Sequence, residues 1–419
     1  MYIKRDLEDK ISKYLIKRKE SLAIIGPRQA GKTTLIKHLE EELKKEKKKV
    51  KYITFEKRSD LALFNDSIED FKDLILDYDF VFIDEFQYAK EGGQKLKYLY
   101  DTTDVKFIVS GSSALDLKYT VGKYMVGRMI DFELRTFSFR EYLSHKDSKL
   151  AGLLKKRIGQ KDLLNFKIKD GFGEEINRRL GVELEKFVIF GGYPAVVLSK
   201  TDQEKKVVLE NILDKFLLKD IKDLLELATV DELLKLGKFL STQIGNLISY
   251  DELSKVSTLS NLELKKHLNV LQKTFIIDLI KPYFSNKRTE LVKTPEAFFI
   301  DLGLRNSLIS DFRMLSNRND AGALMENYAY IMLKHNLGDI SELKYWRTKS
   351  SAEVDFILEK EQDLIPIEIK YTSKRKVGKS FFSFIEKYDP KIGIILTKDY
   401  LAEERIKNTK VKFIPLSYF

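Results

Sequence analysis

No cysteine occurs among the 419 residues, which excludes disulfides, thiol nucleophiles and thiolate zinc sites. The four histidines, His38, His145, His267 and His335, are scattered and show no metal-ligand spacing. No apolar run reaches bilayer-spanning length, and the opening MYIKRDLEDKISKYL is too charged for a secretory signal. A cytoplasmic location without a membrane partner is therefore expected. Acids do not balance bases: 75 Lys and Arg stand against 64 Asp and Glu, a formal charge of +11. That excess suits a polyanionic partner such as DNA, although it also serves solubility. The length exceeds one typical core and predicts about three domains.

What is present begins with GPRQAGKT, Gly26 to Thr33, between the apolar run Ser21–Ile25 and the helical TLIKHLEEEL. Strand, glycine loop and helix N-terminus are the context that G-x-x-x-x-G-K-[ST] requires. Successive backbone N–H groups of Gly26, Pro27, Arg28, Gln29, Ala30, Gly31, Lys32, Thr33 and Thr34, proline excepted, can line one anion-binding concavity. Lys32 would reach the β- and γ-phosphates, and Thr33 would ligate magnesium. The chain is expected to bind ATP with Mg2+.

FVFIDEFQ, Phe80 to Gln87, is a buried strand ending in two acids. Asp84 fits the second magnesium-ligand position, and Glu85 fits a base for an attacking water. The pair argues for hydrolysis and against a small-molecule kinase. KFIVSGSSA, Lys106 to Ala114, ends in hydroxyls, so Ser110 or Ser112 could hold water or sense the γ-phosphate; an ordinary serine-rich turn is an equal alternative. Arg128 is a candidate γ-phosphate sensor within its own chain or an arginine finger between copies. Monomer, dimer and ring all remain compatible with that choice.

Together, GPRQAGKTTL, FIDEFQ, SGSSA, Gly127-Arg128 followed by LRTFSFREYL, and FGGYPAVV (Phe190 to Val197) resemble AAA-type ATPases of archaea and bacteria. Those proteins carry a C-terminal domain of unknown function. The resemblance implies an ASCE-type sheet and assigns no biological task.

From Lys205 the pattern is helical, with Leu209, Ile212, Leu213, Phe216, Leu217 and Ile221 on one face. Ser260-Asn-Leu-Glu263 reads as a capping box opening a helix with Leu264, Leu268 and Leu271 buried. With ISYDELSKV before it, and FIIDLIKPYF and ELVKTPEAFFI after it, the outline is a winged helix-turn-helix. Lys265, Lys266 and Asn269 would face a DNA major groove, and Lys287 and Arg288 at the wing tip the phosphates or the minor groove. A protein-contact or lid role is an equal alternative.

The last third places Glu326 on a helix, Asp355 on a strand, and Glu368 with Lys370 on the next strand. This set resembles the PD-(D/E)xK nuclease core in the variant of archaeal Holliday junction resolvases. Asp355, Glu368 and the Ile369 carbonyl could hold magnesium, with Lys370 stabilising the incoming hydroxide or the developing phosphate charge and Glu326 positioning metal or water. Trp346 could stack on a base, core packing being its default.

The expected fold class is α/β: an AAA-type P-loop parallel-sheet domain over 1–204, a winged helix over 205–300 and a restriction-endonuclease-like α/β domain over 301–419. The expected function is an ATPase acting on DNA, branched DNA included. The competing expectation is a regulatory switch ATPase whose C-terminal part binds protein and cleaves nothing.

Overall fold

A computed structural model describes residues 2–112, 121–159, 163–215, 230–286, 288, 290, 293–337, 342–360 and 363–419. The chain separates into two compact units, Met1–Phe137 with Lys273–Ile276, and Ser138–Gln272 with Ile277–Phe419. The boundary drawn after residue 204 on motif content does not coincide with this division.

In the first unit, β1 (Ser21–Ile25), β2 (Val50–Thr54), β3 (Phe80–Asp84), β4 (Lys106–Gly111) and β5 (Met129–Glu133) pair in parallel in the order β2-β3-β4-β1-β5. Every residue of β1, β3 and β4 is buried. A sheet covered on both faces needs continuous apolar strands, so these segments read as unbroken runs. The strand bearing Asp84 is separated from β1 by β4, which is the ASCE-type order. Helices α1 (Glu8–Lys17), α2 (Lys32–Lys45), α3 (Arg58–Asp66), α4 (Ile68–Ile75) and α5 (Gly92–Thr102) complete the unit. Helix α2 buries Leu35, Ile36, Leu39 and Leu43, a stripe of three- and four-residue spacing.

Lys106, at the start of β4, shows how a buried cation is used structurally. Its ammonium donates to the carbonyls of Tyr14, Leu15 and Arg18 at 2.6, 2.9 and 2.6 Å, closing the end of α1. Burial pushes this lysine down to about 8.

The second unit opens with α6 (Phe139–Lys146), α7 (Ser148–Arg157), α8 (Glu174–Phe190), α9 (Pro194–Leu198) and α10 (Asp202–Lys215). Leu209 and Ile212 of the expected α10 face are buried; Phe216, Leu217 and Ile221 lie outside the described residues. Next come α11 (Val230–Thr242), α12 (Tyr250–Ser257), α13 (Asn261–Lys273), β6 (Ile277–Ile280) and β7 (Glu296–Phe299), the last two antiparallel. This is the winged-helix order. Ser260 and Glu263 form the reciprocal cap of α13, Ser260 N–H donating to Glu263 at 2.9 Å and Glu263 N–H to Ser260 at 3.4 Å. The hairpin is shorter than its apolar runs suggest. Beyond Ile280, Pro282 pairs instead with Tyr345, drawing the chain to another strand.

After α14 (Leu302–Leu308) and α15 (Ala321–Leu337), strands β8 (Leu343–Arg347), β9 (Glu353–Lys360) and β10 (Asp363–Lys370) run antiparallel. Helix α16 (Lys379–Tyr388) then crosses to β11 (Ile392–Thr397), parallel to β10. With β12 (Ala402–Ile406) and β13 (Thr409–Pro415) the mixed sheet has the order β12-β13-β11-β10-β9-β8. The α-β-β-β-α-β succession is that of the expected endonuclease-like α/β domain. Trp346 is 3% exposed, edge-on to Phe384, and donates to the Tyr388 hydroxyl at 3.2 Å. Its place is the core, so the base-stacking alternative is withdrawn.

The FGGYP segment is structural. Gly191 has φ +76°, and a Cβ there would stand 2.1 Å from Asp301 Oδ1. Asp301 accepts from Gly192 N–H at 2.8 Å and caps α14 through Leu304 N–H at 3.1 Å. One aspartate thereby fixes the end of α8 against the start of α14.

Candidate functional sites

The first site forms where β1 and β3 end. Gly26 must lack a side chain, because a Cβ there would lie 2.0 Å from the Leu134 carbonyl oxygen just beyond β5. Gly31 precedes α2 at φ +94°, in the left-handed region that glycine adopts without penalty. Between them the loop backbone is held from outside. Arg5, 4% exposed, donates to the Ala30 carbonyl at 2.8 Å and the Arg135 carbonyl at 2.6 Å, with its guanidinium 4.7 Å from the centre of the Phe137 ring.

Lys32 folds back over its own loop, donating to the carbonyls of Gly26 and Pro27 at 2.9 Å each. Burial lowers it to about 8, against the opposing pull of Glu85 and Asp84; Arg28 adds to the lowering. Thr33 donates to Asp84 Oδ2 at 2.7 Å, and Tyr52 donates to the same oxygen at 3.0 Å. Ser110 and the Glu85 N–H take the other oxygen, Oδ1. A hydroxyl and a carboxylate held this closely are a hard-oxygen pair suited to magnesium. Pro27 and Ala30 are buried, Arg28 is half-buried, and Gln29 and Thr34 are exposed.

Glu85 has φ +55°, which turns its side chain away from the line of β3. Gln87 donates to its carboxylate and reaches Ser112 Oγ at 3.5 Å. Ser110 thus binds the acid expected to hold magnesium, while Ser112 joins the network of the expected base.

Arg128 sits elsewhere. It precedes β5, its carbonyl accepts from Ser21 N–H at 2.8 Å, and its guanidinium pairs with Asp101 at 2.8 Å. Because β1 and β5 are parallel, this is the edge of the sheet opposite the glycine loop. The expectation that Arg128 senses the γ-phosphate within its own chain is therefore corrected: five strand residues, about 17 Å, intervene. Sequence reasoning passed over Arg5, Tyr52 and Gln87. Gln87 carried a signal in its adjacency to Asp84-Glu85, whereas Arg5 carried none.

The second site gathers the expected acids within the second unit. Backbone pairing of β9 with β10 extends to Phe356 opposite Ile367. Beyond it, the Ile369 N–H donates instead to Asp355 Oδ2 at 2.6 Å. Glu368 pairs with Lys370 at 2.5 Å through Oε1, which packs on Gly378 at the start of α16. The Glu326 carboxylate packs on Gly245, in the α11–α12 connection. Burial raises Glu326 well above the ordinary range, helped by Asp355, Glu296 and Glu353. Burial and then Glu368 push Asp355 up to about 7, against the Ile369 N–H and Lys370. Burial would lower Lys370, yet the charges of Glu368, Asp355 and Glu326 hold it above its usual value.

A further acid, missed in the sequence, is Glu296 on β7. It is 1% exposed, its Oε1 has no hydrogen-bond partner among the described residues, and burial followed by Glu353 and Asp355 pushes it up to about 9. Among the described residues, no three His, Asp or Glu side chains are arranged to hold a metal ion. Asp355 accepts from the Ile369 N–H and Glu368 Oε1 pairs with Lys370, which leaves Glu368 Oε2 buried and, among the described residues, without a hydrogen-bond partner.

On α13, Lys265, Lys266 and Asn269 are exposed while Leu264, Leu268 and Leu271 are buried. Arg288 is exposed; Lys287 lies outside the described residues. No helix among the described residues is long and apolar enough to cross a membrane.

Comparison with known proteins agrees with the first site. Residues 18–143 match a family described as an AAA domain. Residues 182–344 and 321–419 match two families, each described as a domain of unknown function. The chain is 27% identical over 420 residues to an uncharacterized protein of Methanocaldococcus jannaschii, covering 96% of this chain and 85% of that one. An uncharacterized protein of Haemophilus influenzae is 23% identical over 407 residues, covering 93% and 92%. Among solved structures, replication initiator DnaA bound to AMPPCP and single-stranded DNA aligns at 12% identity and TM-score 0.31, covering 65% of this chain and 90% of that one. The Aeropyrum pernix ORC1 protein in complex with DNA aligns at 11% and 0.30, covering 74% and 93%. Scores this low carry no functional weight. The AAA match and the loop geometry make the first unit a P-loop domain of AAA type.

Proposed function

We propose that this chain hydrolyses ATP and acts on DNA through its winged helix. The observation that carries hydrolysis is the meeting of Thr33, Asp84 and Glu85 at the mouth of a glycine loop containing Lys32. Thr33 and Asp84 would hold Mg2+, which when bound neutralises charge on the phosphate oxygens. Lys32, released from its own loop carbonyls, would bind the β- and γ-phosphates. Glu85 would accept the proton of the attacking water. Glu85→Gln should leave nucleotide bound and stop turnover; turnover at the wild-type rate would refute the base assignment.

DNA contact is supported by the exposed Lys265, Lys266 and Asn269 on a helix capped and buried like a recognition helix, within a chain of net charge +11. Replacing both lysines by alanine should weaken DNA binding across sequences and lower its salt dependence by about one to two ions. Equal binding and equal salt slope would remove α13 from the interface.

A second reading, a regulatory ATPase whose C-terminal part binds protein without cleaving DNA, is favoured by Asp355 accepting from the Ile369 N–H and Glu368 pairing with Lys370. A cleavage assay on linear and branched DNA with magnesium or manganese separates the two. Cutting by wild type and not by Asp355→Ala would exclude this second reading. DNA-independent turnover without cutting would favour it.

A further inference from the structure

The turn after Glu85 is built more firmly than a strand exit requires. Phe86 begins a single 3-10 turn, Phe86–Tyr88, and packs at 5.5 Å from the Phe55 ring and 5.7 Å from the Phe64 ring. Gly92 leaves room for it: a Cβ there would lie 2.8 Å from the Phe86 ring. With Phe86 anchored inward, Gln87 is turned back over Glu85. Its amide nitrogen donates to the Glu85 carboxylate and lies 3.5 Å from Ser112 Oγ, at the end of β4.

The orientation of that amide follows from chemistry. A carboxylate only accepts, so the NH2 must face Glu85 and the oxygen must point away. That oxygen, Oε1, is buried, and among the described residues it has no hydrogen-bond partner. Buried acceptors are almost always satisfied, by protein or by water, and a lone one calls for a functional account. Its neighbours are the acid next to the metal-ligand position and a serine at the sheet edge where the triphosphate would end.

We propose that Gln87 is a second water-positioning residue of the hydrolytic site, its amide nitrogen steering the Glu85 carboxylate and its amide oxygen accepting a hydrogen bond from the attacking water. This rests on the hydrolysis reading. A water that donates one hydrogen to Glu85 and the other to Gln87 Oε1 keeps its lone pair free for the γ-phosphorus. The new P–O bond forms from water, the bond from phosphorus to the β,γ-bridging oxygen breaks with its electron pair leaving on ADP, and the proton goes to Glu85. Gln87 exchanges nothing; it fixes the direction of approach, which is where phosphoryl transfer gains most from the protein.

The test is ATP turnover by the full chain at saturating ATP and magnesium, with titration of a non-hydrolysable ATP analogue, for wild type, Glu85→Gln, Gln87→Ala and Gln87→Glu. Gln87→Ala is expected to lower kcat by about 10- to 100-fold while affinity for a non-hydrolysable ATP analogue stays within about two-fold. Gln87→Glu keeps an oxygen that can accept from the water but loses the donor to Glu85, and is expected to lower kcat with analogue affinity again within about two-fold. Full turnover in Gln87→Ala with Glu85→Gln inactive would overturn this proposal and leave hydrolysis standing. A fall in kcat matched by an equal loss of analogue affinity in both Gln87 variants would mark a merely structural role and equally overturn it. Wild-type turnover in Glu85→Gln would sink the hydrolysis reading and this one with it.

Discussion

Thr33 Oγ1 donates to Asp84 Oδ2 across 2.7 Å, joining two residues 51 positions apart at the C-terminal edge of the sheet. Asp84 is 2% exposed and also accepts from Tyr52, Ser110 and the Glu85 N–H, so its orientation is fixed before any ligand arrives. Asp84→Asn keeps the shape and removes the charge. It is expected to lower kcat by at least about 100-fold and abolish its magnesium dependence. Turnover assays and titration with a fluorescent nucleotide check both effects. Unchanged magnesium activation would contradict the pairing of Thr33 with Asp84 as ligands.

Lys32 supplies a pH signature. Burial brings its ammonium to about 8 in the free protein, so a growing fraction is neutral above that pH and offers no charge to phosphate. Affinity for ATP should therefore fall as pH rises from about 7 to 9. Lys32→Ala should bind weakly at every pH, with a flat profile over the same range. Isothermal titration at several pH values checks this; a wild-type profile as flat as the mutant's would count against it.

Much of the first site was legible because its constraints are local. A glycine loop needs glycine at fixed offsets, and buried parallel strands need apolar runs, so β1, β3 and β4 announced themselves and delivered Thr33, Asp84 and Glu85 together. Arg128 misled because local sequence does not say which end of a strand a residue occupies; only the register of Ser21 with Met129 places it at the far edge. Arg5 was invisible since its partners are backbone carbonyls, which leave no mark on composition. In the second unit, alternation along β9 and β10 correctly set Asp355, Glu368 and Lys370 beside one another. It could not foretell that the Ile369 N–H would turn to Asp355. Glu296 lay hidden in an apolar stretch, its neighbours contributed by β9 and α15.

Glu296 makes the second unit sensitive to alkali. Unfolded, it ionises near 4.5; folded, burial and the charges of Glu353 and Asp355 raise it to about 9, with Arg347 opposing and Glu326 also facing it. Between those values the native protein holds a proton that the unfolded chain has released. The associated stability is complete below about pH 4.5 and is lost as pH rises through 9. Asp355, raised to about 7, acts in the same direction. Glu296→Gln, neutral throughout, should flatten the decline and melt above wild type at pH 9 by at least about 1 kcal/mol, roughly 2–4 °C. Calorimetry between about pH 5 and 9 measures it, and parallel curves for the two proteins would show that Glu296 is not the source.

Arg5 braces the glycine loop through the Ala30 carbonyl. One guanidinium spans the Ala30 and Arg135 carbonyls, tying the loop to the segment beyond β5. Arg5→Ala would leave both carbonyls without their donor in a buried place, at about 1–3 kcal/mol each. A loss of about 2–5 kcal/mol is expected, together with at least about ten-fold weaker nucleotide binding, because the loop amides are no longer pre-set. Arg5→Lys should rescue little, since one ammonium on a flexible stem cannot reproduce a planar fork spanning two acceptors. Denaturant unfolding and nucleotide titration on the same preparations separate the effects. Lost stability with intact affinity would make Arg5 a fold residue only, whereas loss of both places it behind the phosphate-binding loop.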